Sequence, residues 1–413
     1  MIYLKSVYTV LLTIYILMSM LIPLAGYNKL LFVALMLIYG AYILFVKKEK
    51  KFEFLKLTLA PMFIILIFVY GFIRGAMNNA VMELAQQFLL VTSLFVLIYP
   101  IDEFGIGMNA ILKIVAKIYI VFFMIYVIYA MNVMEFQIPA SVNKIAHSLD
   151  SRLLRLIGDT LHELGSGLMT RRAFFGEKGS GMQIYLGSTP FMLVLTDILF
   201  VDFLRNRKWS NLVFVVLALM LTFTTGSRTL MLLVPASLCI LIWLALDRKK
   251  QMIVAGVLGI AGIAAVIYLF NFSTFFSMEE RSNFVKVGHM ISYFKQLEMK
   301  NALLGEGLAT IYYSAGTGYE LAHTEITIMD HFRYFGIPLG TMIWVMMLIP
   351  KISRKSLDWR NWKIWQMKEE AVVLLLYFIF AQTNPVLFNS YGLVVVLWYW
   401  NILFTKNKKE KFV

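Results

Sequence analysis

Apolar residues recur along most of the chain in blocks of about 18–24 positions, parted by short polar connectors. A helix of that length crosses the roughly 30 Å of hydrocarbon in a bilayer. Twelve such blocks are expected as spans, near 6–24, 30–46, 57–73, 84–100, 111–133, 181–203, 210–226, 229–247, 252–270, 326–349, 371–384 and 391–405. The alternating segments that would build a membrane barrel are missing. The pattern predicts an all-α polytopic membrane protein, with 1–413 as a single integral membrane domain.

The connectors differ in charge, and this sets the expected topology. One set comprises the lysines of 47–56, Arg205 to Lys208, Arg248 to Lys250, Lys351 to Lys368 and Lys406 to Lys411, and holds 21 Lys or Arg. The opposing short connectors hold three, Lys29, Arg74 and Arg228. By the positive-inside rule both termini are cytoplasmic. The net charge of +14 therefore reads as topology and lipid anchoring, not nucleic-acid binding, because the basic residues gather at block ends. Composition agrees: 15% of residues are charged, against roughly 25% in soluble domains. The single Cys239 lies inside an apolar run, which removes a disulfide framework or a cysteine metal cluster from consideration. The first apolar block lacks a convincing cleavage site and is expected to stay as a span.

Two long connectors, 134–180 and 271–325, fall on the extracytoplasmic side of this topology. The first places Ile145, Leu149, Leu153, Leu154, Ile157, Leu161 and Leu164 at helical spacing, with Arg152, Arg155, Asp159 and Glu163 between them. An amphipathic helix on the membrane surface or over a cavity is expected there. The second carries Phe284, Val287, Met290, Ile291, Phe294 and Leu297 at similar spacing, then a glycine-rich stretch.

Candidate chemistry collects on the same side. Arg228 sits in Thr224-Thr225-Gly226-Ser227-Arg228-Thr229, a tight hairpin between apolar blocks. An arginine at membrane depth costs about 2.5–3.5 kcal/mol on insertion scales, so it is either snorkelling to lipid phosphates or binding a ligand phosphate through its fork. Arg171, Arg172 and Arg281 open further outer segments, each also readable as a solvated charge. Leu304-Gly305-Glu306-Gly307-Leu308 precedes His323-Thr324-Glu325, then Phe335-Gly336-Ile337-Pro338-Leu339-Gly340. The glycines permit positive φ and close backbone approach. His323, at an expected loop-to-helix junction, can accept a proton near neutral pH, although a lone histidine is more often structural. Glu325 can pair with an arginine or assist His323. Asp197 and Asp202 are expected in structural pairing or solvation, and Lys113 and Lys117 to snorkel. Asn384, Pro385 and Asn389 mark the last outer hairpin.

This ordered set, Arg172-x3-Gly176, Gly226-Ser227-Arg228, Arg281, Leu304-Gly305-Glu306-Gly307, His323 and Gly336-Ile337-Pro338-Leu339-Gly340, resembles the Wzy-type O-antigen and capsular polysaccharide polymerases and the related O-antigen ligases, over roughly residues 165–345. It departs from their pattern at Thr324, where that family often carries Asn. The resemblance implies a GT-C-like membrane fold in the bacterial inner membrane with an extracytoplasmic site. The implied reaction joins undecaprenyl-pyrophosphate-linked repeat units, one as donor and one as acceptor, without metal or cofactor. It implies Arg172, Arg228 and Arg281 as pyrophosphate ligands, His323 and Glu325 as the catalytic pair, and Gly176, Gly305 and Gly307 as loop-shaping residues. A chain-length regulator and a repeat-unit flippase are the implied protein partners. The chemistry is consistent, since a sugar on pyrophosphate has a good leaving group and needs mainly charge stabilisation and one base. The first outer connector, Gly26-Tyr27-Asn28-Lys29, lacks the acidic residues of metal-dependent lipid-phosphosugar transferases. A ligase with a different acceptor shares the donor chemistry and stays open. A lipid-linked oligosaccharide flippase also fits the span number, but ionisable residues at the outer edge and the lack of matching halves weigh against it.

Overall fold

The computed structural model describes residues 2–47, 57–134, 140–174, 177–257, 281–350 and 368–409. Apolar blocks without internal proline or glycine clusters form helices, in the order α1 (Ile2–Leu21), α2 (Tyr27–Ala41), α3 (Ala60–Met77), α4 (Met82–Thr92), α5 (Ile98–Glu103) and α6 (Met108–Val133). A π-helical turn, Tyr42–Val46, extends α2, and a 3₁₀ turn, Ser93–Leu97, joins α4 to α5. Six helical stretches among the described residues are long and apolar enough to cross a membrane: Tyr3–Leu21, Tyr27–Val46, Ala60–Met77, Met82–Glu103, Met108–Val133 and Arg228–Ala245. Large apolar side chains such as Leu37, Leu66, Leu90 and Ile242 stand exposed on them, an arrangement water would penalise and lipid does not. The chain is a mostly helical, membrane-embedded protein.

The first long connector folds as α7 (Ala140–Ser148) and α8 (Arg152–Leu164), followed by a hairpin of β1 (Leu168–Phe174) and β2 (Glu177–Tyr185). Ser151 caps α8 by accepting from the Leu154 N–H. Gly158 lies face to face with Tyr129 of α6, where any side chain would collide with the ring, so α8 is held close against that span. The hairpin is a short β element in a mostly helical chain, and it takes the start of the block expected at 181–203. Gly179, Gly181 and Gly187 disfavour helix there, and the helix begins only after Thr189-Pro190, as α9 (Met192–Asn206). Then come α10 (Trp209–Thr224) and α11 (Arg228–Ala245). The expected span at 252–270 lies largely outside the described residues, as do most of the basic connectors 47–56 and 351–368.

The second long connector supplies α12 (Arg281–Gln296), α13 (Met299–Leu304) and a small hairpin of β3 (Tyr312–Ser314) and β4 (Tyr319–Leu321). The chain continues as α14 (Thr327–Leu348), α15 (Lys368–Phe380) and α16 (Val394–Lys409). Two compact units result. The first takes Met1–Leu35, Asn109–Ser277 and Glu369–Phe380; the second takes Met36–Met108, Met278–Lys368 and Ala381–Val413.

In the first unit α9 is buried along almost its whole length and packs on α10 and α11. Lys113, expected to snorkel, instead places its ammonium 2.7 Å from Asp202, whose carboxylate also accepts from Asn206 and Asn211. Asp202 is buried, so pairing outweighs the reach to solvent. In the second unit α3 packs on α4 and α14, and α13 on α14. Trp400 of α16 donates to the Met347 carbonyl at 2.8 Å, while Asn401 accepts from the Met108 N–H and donates to the Ile106 carbonyl.

Candidate functional site

The best-defined polar site lies in the second unit, where α14 breaks. Gly336 has φ +78°, a conformation L-residues resist, and Pro338 has no N–H to give the carbonyl four residues back. The break frees carbonyls at Arg333 and Tyr334. Donors arrive from the segment after α13: the Glu306 N–H reaches the Arg333 carbonyl at 2.7 Å and the Gly307 N–H reaches the Tyr334 carbonyl at 3.0 Å. That approach needs glycines. A Cβ on Gly305 would strike the Tyr334 carbonyl and the backbone of Phe335 and Gly336, and one on Gly307 would strike Gly75 of α3. Gly305 and Gly307 themselves have φ of +73° and +113°. Arg74 Nε donates to the Gly305 carbonyl at 2.6 Å, Asn78 to that of Glu306 at 2.5 Å, and the Leu308 N–H to the Gly71 carbonyl at 2.7 Å. The Gly-Glu-Gly loop is stitched to two helices.

Inside this frame Arg333 is buried. Its guanidinium donates to the Thr310 carbonyl at 2.5 Å and the Ala322 carbonyl at 2.6 Å, and stands 3.5 Å from Asp330 and 3.7 Å from Glu306. It lies 4.3 Å from the centre of the Tyr312 ring and 4.7 Å from that of Tyr334, close enough for cation–π attraction. Burial lifts the Glu306 carboxyl above the ordinary carboxylate range, with Arg333 pulling the other way. Asp330 uses its other oxygen to accept from both the N–H (2.7 Å) and the hydroxyl (3.1 Å) of Thr324, and that hydroxyl accepts from the Ile326 N–H. The turn His323-Thr324-Glu325 is thereby fixed to the first turn of α14. Two further bonds close that helix end: Ile328 N–H to the Gln382 side chain at 2.9 Å, and the Thr327 hydroxyl to the Ala381 carbonyl at 2.7 Å.

On this mount His323 is exposed, and among the described residues its ring has no hydrogen-bond partner. It borders a cavity of about 30 Å³ with Thr324, Asp330, Tyr334, Pro385 and Phe388. That is room for a water, not a sugar. Pro385, from the turn before α16, does line this cavity, whereas Asn389 is used locally, accepting from the Gly392 N–H. Glu325 pairs with Lys286 of α12 at 3.4 Å, where an arginine or His323 was the expected partner. Behind that contact His289 is buried. Its Nδ1 is 2.7 Å from the Ser314 hydroxyl, and burial pushes the imidazole below its usual range.

The expected site residues are divided between the two units. His323, Glu325, Gly305, Gly307 and Arg281 belong to the second, with Arg281 exposed at the start of α12. Arg172 and Arg228 belong to the first: Arg172 lies in β1 opposite Gly181, and Arg228 opens α11 behind its capping residue Ser227. Gly176 lies outside the described residues. Hydropathy alone does not single out Asp330 and Arg333, because the block 326–349 reads whole as a span. The available signal was Asp330, His331 and Arg333 crowded into four positions of an apolar segment, since ionisable groups at membrane depth are expensive and tend to be functional. Among known proteins, no family model, no curated protein and no solved structure matches this chain.

Proposed function

We propose that this chain is a Wzy-type polysaccharide polymerase, a twelve-span, GT-C-like glycosyltransferase of the bacterial inner membrane. It joins undecaprenyl-pyrophosphate-linked repeat units on the extracytoplasmic side, with both termini in the cytoplasm. His323 takes the proton of the acceptor hydroxyl as that oxygen attacks the donor's anomeric carbon. The glycosyl–oxygen bond to the lipid pyrophosphate breaks, and Arg281 carries diphosphate charge in place of a divalent cation. Glu325 orients the His323 turn through Lys286.

One observation carries this reading: an open imidazole presented on a turn that Asp330, Arg333 and the Gly305–Gly307 loop fix from below. A general base needs that combination, a free ring on a rigid support. The test is polymerisation of one purified lipid-linked repeat unit by the full chain in proteoliposomes. Wild type is expected to make a ladder of products, and His323→Ala to lose about 10²–10⁴-fold in rate. A His323→Ala protein that is folded and still makes the ladder at the wild-type rate removes the catalytic assignment. Single transfer to a different acceptor, with no ladder, replaces the polymerase by a ligase.

A further inference from the structure

In the first unit, α9 carries a carboxyl that the proposed reaction does not use. Asp197 has no exposed surface, and its helix neighbours Leu193, Val194, Ile198 and Leu199 are also buried. Ser237 of α11 holds its hydroxyl oxygen 2.6 Å from Asp197 Oδ1 and 2.7 Å from the carbonyl of Val234. Asp197 Oδ2 is buried and has no partner among the described residues.

The hydrogen count decides the protonation state. A serine hydroxyl has one hydrogen. Were Asp197 a carboxylate, Ser237 would have to divide that hydrogen between two acceptors, leaving a buried charge with one shared donor. A carboxylic acid resolves both contacts: Oδ1–H donates to Ser237, and the Ser237 hydroxyl donates to the Val234 carbonyl. Oδ2 is then a neutral carbonyl oxygen, whose burial costs far less than a charge.

The charged groups on the packed elements are engaged elsewhere. Asp202 of the same helix binds Lys113 of α6, and Arg205 binds Glu369 and Glu370 of α15. Lys117 of α6 lies over the Phe214 ring, and Tyr119 bonds Ser188. The segment Trp209–Thr224 of α10 has no titratable residue, and α11 has only Arg228, more than two turns from Ser237, and Cys239. On α15, Tyr377 stands against Phe191.

We infer that Asp197 is a proton-binding site: a membrane-buried neutral acid that ties α9 to α11 through Ser237 and gives up its proton only when water reaches that contact. An ionisable group placed this deep in an apolar bundle marks function more often than packing, and the ligand here is the proton itself.

Infrared difference spectroscopy of the full chain in lipid bilayers tests this without any assay of activity. Wild type minus Asp197→Asn is expected to show the carbonyl band of a protonated carboxyl, lost in the variant and shifted down in D₂O. In wild type the band should persist from about pH 5 to about pH 9, a range in which an ordinary aspartate is ionised. Loss of carboxylate bands instead would overturn the proposal. Should Asp197→Asn fail to fold, the wild-type pH series alone decides, since a band that disappears above about pH 5 is equally fatal. Ser237→Ala supplies a second arm: the acid loses its acceptor and its band must move to higher frequency, and an unmoved band overturns the bridge.

Discussion

Replacing Arg333 by methionine keeps most of the side-chain volume and deletes the charge on which the second unit's polar site closes. The Thr310 carbonyl then loses the guanidinium donor at 2.5 Å, while the Ala322 carbonyl keeps the Tyr334 hydroxyl at 2.6 Å. Asp330 and Glu306 remain, the first buried and still bonded to Thr324, the second now without a cation. An unmet buried carbonyl costs about 1–3 kcal/mol, and breaking a buried ion pair by removing one partner costs about 3–5 kcal/mol. A loss near 3–5 kcal/mol in equilibrium unfolding in mixed micelles is therefore expected of Arg333→Met. The diagnostic comparison adds Asp330→Asn and Glu306→Gln. If the destabilisation comes from stranded carboxylates, the triple variant should be more stable than Arg333→Met alone, with a coupling of about 0.5–3 kcal/mol. Two results refute the reasoning: strictly additive costs, or an Arg333→Met protein within about 0.5 kcal/mol of wild type, the range of a surface substitution.

Gly336→Ala should destabilise more than Gly318→Ala. Both glycines have φ +78°, which costs a non-glycine about 1–2 kcal/mol, but only at Gly336 would the new Cβ meet backbone, at Leu303 and Gly305. Equal losses in the same unfolding measurement would deny the close approach. His289 is held below its ordinary range by burial, so the unfolded chain binds more protons and stability must fall as pH drops below about 6.5. His289→Gln should flatten that acid limb, and an unchanged slope in the variant counts against the assignment.

The helices α1, α3 and α6 were legible because a bilayer demands long apolar runs, and they sit close to their expected places. What local pattern could not convey was pairing. Tyr312-Tyr313-Ser314 and Tyr319-Glu320-Leu321 flank Ala315-Gly316-Thr317-Gly318, a fair hairpin signal, yet the stretch reads equally as glycine-rich loop. Gly316 matters because Gly288 of α12 packs directly against its backbone, a relation between residues 28 positions apart. The start of α9 shifted for the same kind of reason: β2 found a partner in β1, and hydropathy alone does not weigh that partner against a longer helix.

Two motifs that looked separate in the sequence form one object. Gly336-Ile337-Pro338 breaks α14 and strands two carbonyls; Gly305-Glu306-Gly307 brings the two N–H groups that meet them. Neither is stable without the other, because stranded carbonyls in an apolar surround are costly and a loop with three close backbone contacts has no reason to form alone. The same join sets the carboxylate of Glu306 beside Arg333, and Arg333 beside Asp330, which holds Thr324. The Thr324 hydroxyl accepts from the Ile326 N–H and donates to Asp330. A short hydroxyl that does both is enough to close the turn. Through that hydroxyl the break in α14 is tied to the turn that presents the exposed His323.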